Sequence, residues 1–173
     1  VILEADRIVA DWLAGPNGVT AQLAVIPIDA GDTAPVAIAT VADETRNGMA
    51  ARNEPAQPYP SVTVSVDALT DLDGVAQVVT ADGDMKVRVR IAVDSNVTEN
   101  AVRDVSYYLR ATIKSLRLLC SDAHSASRIR NDVNLETVIS MVEAIDFPKP
   151  DQAATTIISG YVILTMRLRD QAP

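Results

Sequence analysis

Between Val102 and Cys120, the residues Val102, Val105, Leu109, Thr112, Ile113, Leu116, Leu119 and Cys120 recur at intervals that only a helix gathers onto one face. Arg103, Asp104, Arg110, Lys114 and Arg117 point elsewhere. Upstream, Asn96 with Glu99 three residues later has the form of a capping box, so the spacing predicts a helix of about six turns. A helix with one long apolar face must lie on another layer, and the flanking sequence supplies a sheet.

Pro60 to Ala68 alternates Val62, Val64 and Val66 with Ser61, Thr63, Ser65 and Asp67, the pattern of a half-buried strand. Asp71-Leu72-Asp73-Gly74 reads as a turn and Val75 to Thr80 as a second strand. Asp82-Gly83 reads as a two-residue hairpin signal. The strand that follows puts Val87, Val89 and Ile91 toward the core and Lys86, Arg88 and Arg90 on the other side. Asn131 to Ile145 alternates as a strand does, although periodicity alone does not separate it from a helix. Phe147-Pro148-Lys149-Pro150-Asp151 breaks the chain. Ala154 to Arg169 then alternates again, with Ser159, Tyr161, Ile163, Thr165, Arg167 and Arg169 on one face.

The first residues place Val1, Ala5, Ile8, Val9, Trp12 and Leu13 opposite Glu4, Asp6, Arg7 and Asp11, an amphipathic helix stopped by Gly15 and Pro16. Gln22 to Ile28, interrupted by Pro27, reads as an edge segment or extended connection, and Pro35 to Ala42 as a short strand. Residues 43–59 show neither period and carry two prolines within the segment, so a projecting irregular loop is expected there. No internal repeat or low-complexity tract occurs. The expected fold is α+β: a mainly antiparallel sheet with an N-terminal helix and a long central helix packed on one face. At 173 residues, the whole chain from 1 to 173 fits one domain.

Composition narrows the chemistry. One cysteine, Cys120, allows no intrachain disulfide, and one histidine, His124, allows no His-rich metal site. Aromatics make up 3% of the chain, so Val, Ile, Leu and Ala must fill the core. No apolar run reaches the roughly 18 to 20 residues of a membrane span, and Glu4, Asp6, Arg7 and Asp11 break up the opening segment, so neither a span nor a secretory signal is expected. Glycine-rich phosphate loops of the common kinds are absent, and no cofactor is expected.

Cys120 and His124 stand four apart, a spacing that invites a thiolate and imidazole pair on a continuing helix. Cys120 belongs to the apolar stripe and His124 to a Ser-rich helix end, so a structural role is the expectation. Asp71 with Asp73, and Asp82 with Asp84, resemble calcium-ligating alternation. Neither loop has the long oxygen series and distal glutamate of such sites, and turn formation explains both.

Charge is divided along the chain. The net is −8, with thirteen acids and three bases up to residue 84 and ten acids and twelve bases beyond it. Such a chain repels a phosphate backbone at long range, which argues against tight nucleic-acid binding. The bases Lys86, Arg88 and Arg90, and again Arg167 and Arg169, recur every second residue and so project from one side of their strands. In an assembly, these forks would meet acids on a neighbouring copy.

Taken together, several segments resemble the tail terminator proteins of long-tailed bacteriophages. They are the helix Ile2 to Leu13 with Gly15-Pro16-Asn17-Gly18-Val19, Ile26-Pro27-Ile28-Asp29, and the irregular loop before Pro60-Ser61-Val62. The helix Glu99 to Leu119, Arg130-Asn131-Asp132-Val133 and the strand Gly160 to Asp170 complete the pattern. The resemblance covers nearly the whole chain and is architectural. It implies a virion protein, made in the host cytoplasm, that forms a homohexameric ring on the last tail-tube ring. That ring stops tube polymerisation and receives the head connector or stopper, and genomic DNA passes through its lumen without specific binding. Related neck subunits share much of the pattern. The family needs no catalytic residue, so none is expected, nor is a membrane partner. The candidate subunit or partner interface is Lys86, Arg88, Arg90, Arg167 and Arg169, with Arg46, Arg52 and Glu54 on the 43–59 loop. Two other readings remain: a small enzyme or ligand-binding domain with a pocket between the long helix and the sheet, and an adaptor that recognises an acidic partner through Lys86, Arg88 and Arg90.

Overall fold

In a computed structural model, residues 2–43, 58–73, 82–96, 100–121, 135–146 and 157–170 are described. Helix α1 (Ile2–Ala14) buries Asp6, Val9, Ala10 and Leu13, which the helical repeat of three, four and seven residues brings to one face. Asp6 therefore does not face solvent as its charge suggested. It is fully buried, its Oδ1 accepts the Arg7 N–H at 2.9 Å, and its Oδ2 has no hydrogen-bond partner among the described residues. Ile8 and Trp12 flank this stripe as half-buried residues.

The turn after α1 closes through Gly15 N–H to Trp12 C=O (3.1 Å) and Gly18 N–H to Gly15 C=O (2.9 Å). It leads into a second short helix, α2 (Val19–Leu23), which takes in the first two residues, Gln22 and Leu23, of the segment Gln22 to Ile28 expected to be extended. Gly18 precedes it, and Val19, Gln22 and Leu23 turn inward. Five residues are too few to display a helical period in the sequence. The chain then runs to β1 (Thr40–Asp43), which starts five residues later than the strand expected from Pro35.

β2 (Ser61–Asp73) and β3 (Asp82–Asp94) pair antiparallel from Ser61–Ala92 to Asp73–Asp82. Asp71 to Asp73 thus lie in strand rather than in a turn, and Asp82-Gly83 opens β3 instead of forming the hairpin turn. The expected strand Val75–Thr80 lies outside the described residues. The long helix, α3 (Ala101–Ser121), begins later than the Asn96–Glu99 pattern implied. Asn96 instead donates its N–H to Asp94 Oδ1 at 2.9 Å, and Asn100 C=O accepts the first helical bond, from Asp104. Its buried face holds Val105, Leu109, Thr112, Leu116 and Leu119 as expected, together with Tyr107, Tyr108, Ala111 and Ser115. Two members of the predicted stripe are corrected. Val102 is 59% exposed in the first turn, and Cys120 is exposed in the last.

β4 (Leu135–Asp146) and β5 (Ile157–Asp170) form a second antiparallel hairpin. The five strands lie in the order β1-β2-β3-β5-β4, with only β1 and β2 parallel. This is an α+β arrangement of two hairpins joined along the β3–β5 seam, whose register runs from Gly83–Leu168 to Asp94–Ile157. α1 packs on β1 and β2, and α3 packs on β3, β5 and β4. Between helices and sheet lies one apolar core containing Val62, Val64, Val87, Val89, Ile91, Val162 and Leu164.

Candidate functional site

The strand face turned away from that core carries the basic residues. Strand alternation is strict here: Val87, Val89 and Ile91 are fully buried, whereas Lys86, Arg88 and Arg90 are half-buried on the opposite side. Register extends this face across the seam in rows, Thr63–Arg90–Tyr161 and Ser65–Arg88–Ile163. The Arg88 guanidinium lies over the Tyr161 ring, 5.5 Å from its centroid. Arg90 donates from Nε (3.1 Å) and Nη2 (3.0 Å) to Ser159 Oγ. Both arginines of β3 thus reach diagonally onto β5, so the array straddles the seam between the hairpins and is held in shape by it.

Arg90 meets a neutral hydroxyl and no carboxylate among the described residues. The guanidinium keeps donors in hand while its orientation is fixed, a geometry suited to an incoming carboxylate. Arg167 pairs in register with Asp84 and Val138, and Arg169 with Glu136, on the same strand as Tyr161. Arg46, Arg52 and Glu54 lie outside the described residues, as does most of the expected 43–59 loop.

A second polar group, not expected from sequence, fastens the segment between α2 and β1 onto α3. Tyr107 OH donates to Asp32 Oδ2 at 2.8 Å and accepts the Asp29 N–H at 3.0 Å. Arg103 reaches Asp32 Oδ1 at 3.3 Å and Asp104 Oδ1 at 2.9 Å, and Tyr108 OH donates to the Val36 carbonyl at 2.7 Å. The hydrogen bond to Asp104, followed by the charges of Asp104 and Asp32, raises Arg103 further above its ordinary value against the effect of burial. For Tyr107, the Asp29 N–H works to lower the hydroxyl, but burial and the Asp32 and Asp29 charges prevail and raise it. Tyr108 is pushed far up, first by burial and then by the Asp104 charge. Aromatic residues one and two positions off the apolar stripe were the available sequence signal, because a half-apolar ring on a helix flank needs a polar partner for its hydroxyl.

Cys120 is exposed, and desolvation raises its thiol, which disfavours the thiolate a nucleophile needs. His124 lies outside the described residues. Where a pocket between long helix and sheet was considered, α3 sits directly on β5: a Cβ added at Gly160 would stand 2.7 Å from Leu109 Cδ1 and 2.9 Å from Val105 Cγ1. Among the described residues, no group of three or more His, Cys, Asp and Glu side chains could hold a metal ion, and no helix is long and apolar enough to cross a membrane. No family model matches the chain, and no curated protein sequence matches it.

Proposed function

We propose that this chain is a virion structural protein of the tail terminator type. In this reading, it caps the tail tube of a long-tailed bacteriophage as a homohexameric ring, stops tube polymerisation and receives the head connector. Another neck subunit, of the head-completion or stopper kind, is the nearest variant. The observation that carries the reading is the one-sided sheet. Helices cover one face, while the other presents the Arg88–Tyr161–Arg90 array with its guanidinium groups held in place. A fixed basic strip on a chain of net charge −8 is suited to ordered self-association, where arginine forks set the orientation of the contact.

The role is structural rather than catalytic, with the protein's partners being itself, the tail-tube protein and the head connector. Genomic DNA passes through the lumen without specific binding, since an acidic wall gives no counterion release. The reading is tested by imaging the purified protein at high concentration. Closed rings with a hole of about 20 Å, wide enough for a duplex, are the expected result. A uniform monomer, with no change on adding tail tubes, overturns it.

A further inference from the structure

Helix α3 carries a second basic surface, on the side away from its buried face. Arg110, Lys114 and Arg117 are exposed there, spaced by four and three residues and so aligned along one line of the helix. The Arg110 guanidinium lies over the Tyr107 ring, 5.5 Å from its centroid, and no ion pair engages any of the three bases among the described residues. The only acid in α3, Asp104, is buried and taken up by Arg103. Half-buried Ile113 borders the line on one flank, and Leu118, 38% exposed, on the other.

The surroundings restrict what such a strip can hold. The apolar arc of α3, with Val105, Leu109, Leu116 and Leu119, is spent on the core, so the helix has no face left to insert among lipid tails. A nucleic-acid strand or an anionic bilayer presents extended phosphate to a chain of net charge −8, and three bases offer little against that repulsion. A short acidic peptide meets the strip locally, within a screening length of about 8 Å. It also brings side chains that can cover Leu118, which phosphate leaves unused.

The chain shows this kind of contact in miniature at the start of the same helix. Asp32, on the irregular segment between α2 and β1, reaches Arg103 at 3.3 Å and accepts the Tyr107 hydroxyl at 2.8 Å. Arg103 stands seven residues before Arg110, on the same side of α3. Farther along, Arg110 and Lys114 are separated by about 6 Å of helix rise, and alternate residues of an extended chain by about 6.6 Å. Carboxylates at every second residue therefore fall opposite successive bases.

We infer that the outer face of α3, at Arg110, Lys114 and Arg117, docks an extended acidic segment of another protein, with carboxylates at alternate residues on the bases and an apolar residue beyond them on Leu118. The inference stands apart from the ring reading, since it uses neither the sheet face nor a second copy. The probe is a fluorescent peptide of alternating glutamate and serine ending in leucine, with its glutamine counterpart and a single-stranded oligonucleotide of equal charge as comparisons, read by anisotropy at low salt. The full-length protein is expected to bind the glutamate peptide more tightly than either comparison. Arg110→Glu/Lys114→Glu/Arg117→Glu is expected to weaken that binding by at least about tenfold at the parent's melting midpoint. Leu118→Ser should weaken it less, and only for the peptide that ends in leucine.

If the charge-reversed variant melts early, Lys114→Gln/Arg117→Gln takes its place, with a smaller loss expected. Unchanged affinity in a folded variant overturns the docking, as does equal binding of the glutamine peptide or no binding by the parent. Tighter binding of the oligonucleotide overturns the acidic segment and gives the face to nucleic acid. Each of these outcomes leaves the ring reading to its own imaging test.

Discussion

At Gly160, the missing side chain is what lets α3 lie against β5, because an added methyl would meet Leu109 and Val105 inside ordinary contact distance. Those neighbours are side-chain ends and can give way. At Gly18, the obstacle is backbone, the carbonyl group of Leu13, which cannot move without unwinding the end of α1. Gly160→Ala is therefore expected to cost about 1–3 kcal/mol in urea unfolding, and Gly18→Ala more, an order that a reversed ranking would disprove. Tyr108 makes a separate prediction. Its hydroxyl is held protonated above the ordinary value of 10.0, so the stability it contributes is complete below about pH 10 and is lost as pH rises through the folded-state value. The parent's urea midpoint should fall above pH 10, and Tyr108→Phe should flatten that fall while lowering the midpoint at neutral pH through the lost Val36 bond. Asp6 illustrates what residue type conceals: a carboxylate read as solvent-facing occupies the buried stripe, and its neighbours at three, four and seven residues, rather than its own charge, decide the matter.

Among the elements, β3 and α3 were the most legible, since each repeats its period long enough to average out exceptions. The exceptions in α3 cluster at its ends. Val102 and Cys120 belong to the stripe by spacing, yet, eighteen residues apart, they share one angular position on the flank of the buried arc, which Ala101, Tyr108, Ala111 and Ser115 shift to the other side, while Ala101 and Leu119 beside them stay buried. The stretch from Asp71 to Gly83 misled for a different reason: its aspartates and glycines are turn formers, but ladder pairing keeps Asp71–Asp73 and Asp82–Asp84 in strands. Of the candidate site, the side on which Lys86, Arg88 and Arg90 stand was readable from alternation. Their diagonal partners Tyr161 and Ser159 were not, because strand order brings together residues some seventy positions apart. The segment from Asp29 to Val36 was likewise silent, since its fastening comes from α3. Tyr107→Phe removes both bonds that the hydroxyl makes there, to Asp29 N–H and Asp32 Oδ2. Amide exchange at Asp29 should quicken on the order of tenfold, with cleavage by a protease appearing between Pro27 and Ala37. Unchanged exchange would show that Arg103 and Tyr108 hold the segment alone.

Across the whole molecule, the described bases occupy the sheet face turned from the core, at Lys86, Arg88 and Arg90, and the outside of α3, at exposed Arg110, Lys114 and Arg117. If copies associate in the proposed ring through the arginines of the sheet face, the attraction is ionic at half-buried groups, so raising salt should shift rings toward free subunits, whereas a hydrophobic contact would tighten. The strand order has another consequence, one that concerns time. β5 is the last strand along the chain but stands between β3 and β4, inside the sheet. During synthesis, β2, β3 and α3 emerge long before it, so β3 waits with one flank unpaired and Val87, Val89 and Ile91 without their partners Leu164, Val162 and Gly160. The nascent protein is thus vulnerable until β5 emerges, and its sheet closes only when the β4–β5 hairpin arrives as a unit to fill the gap.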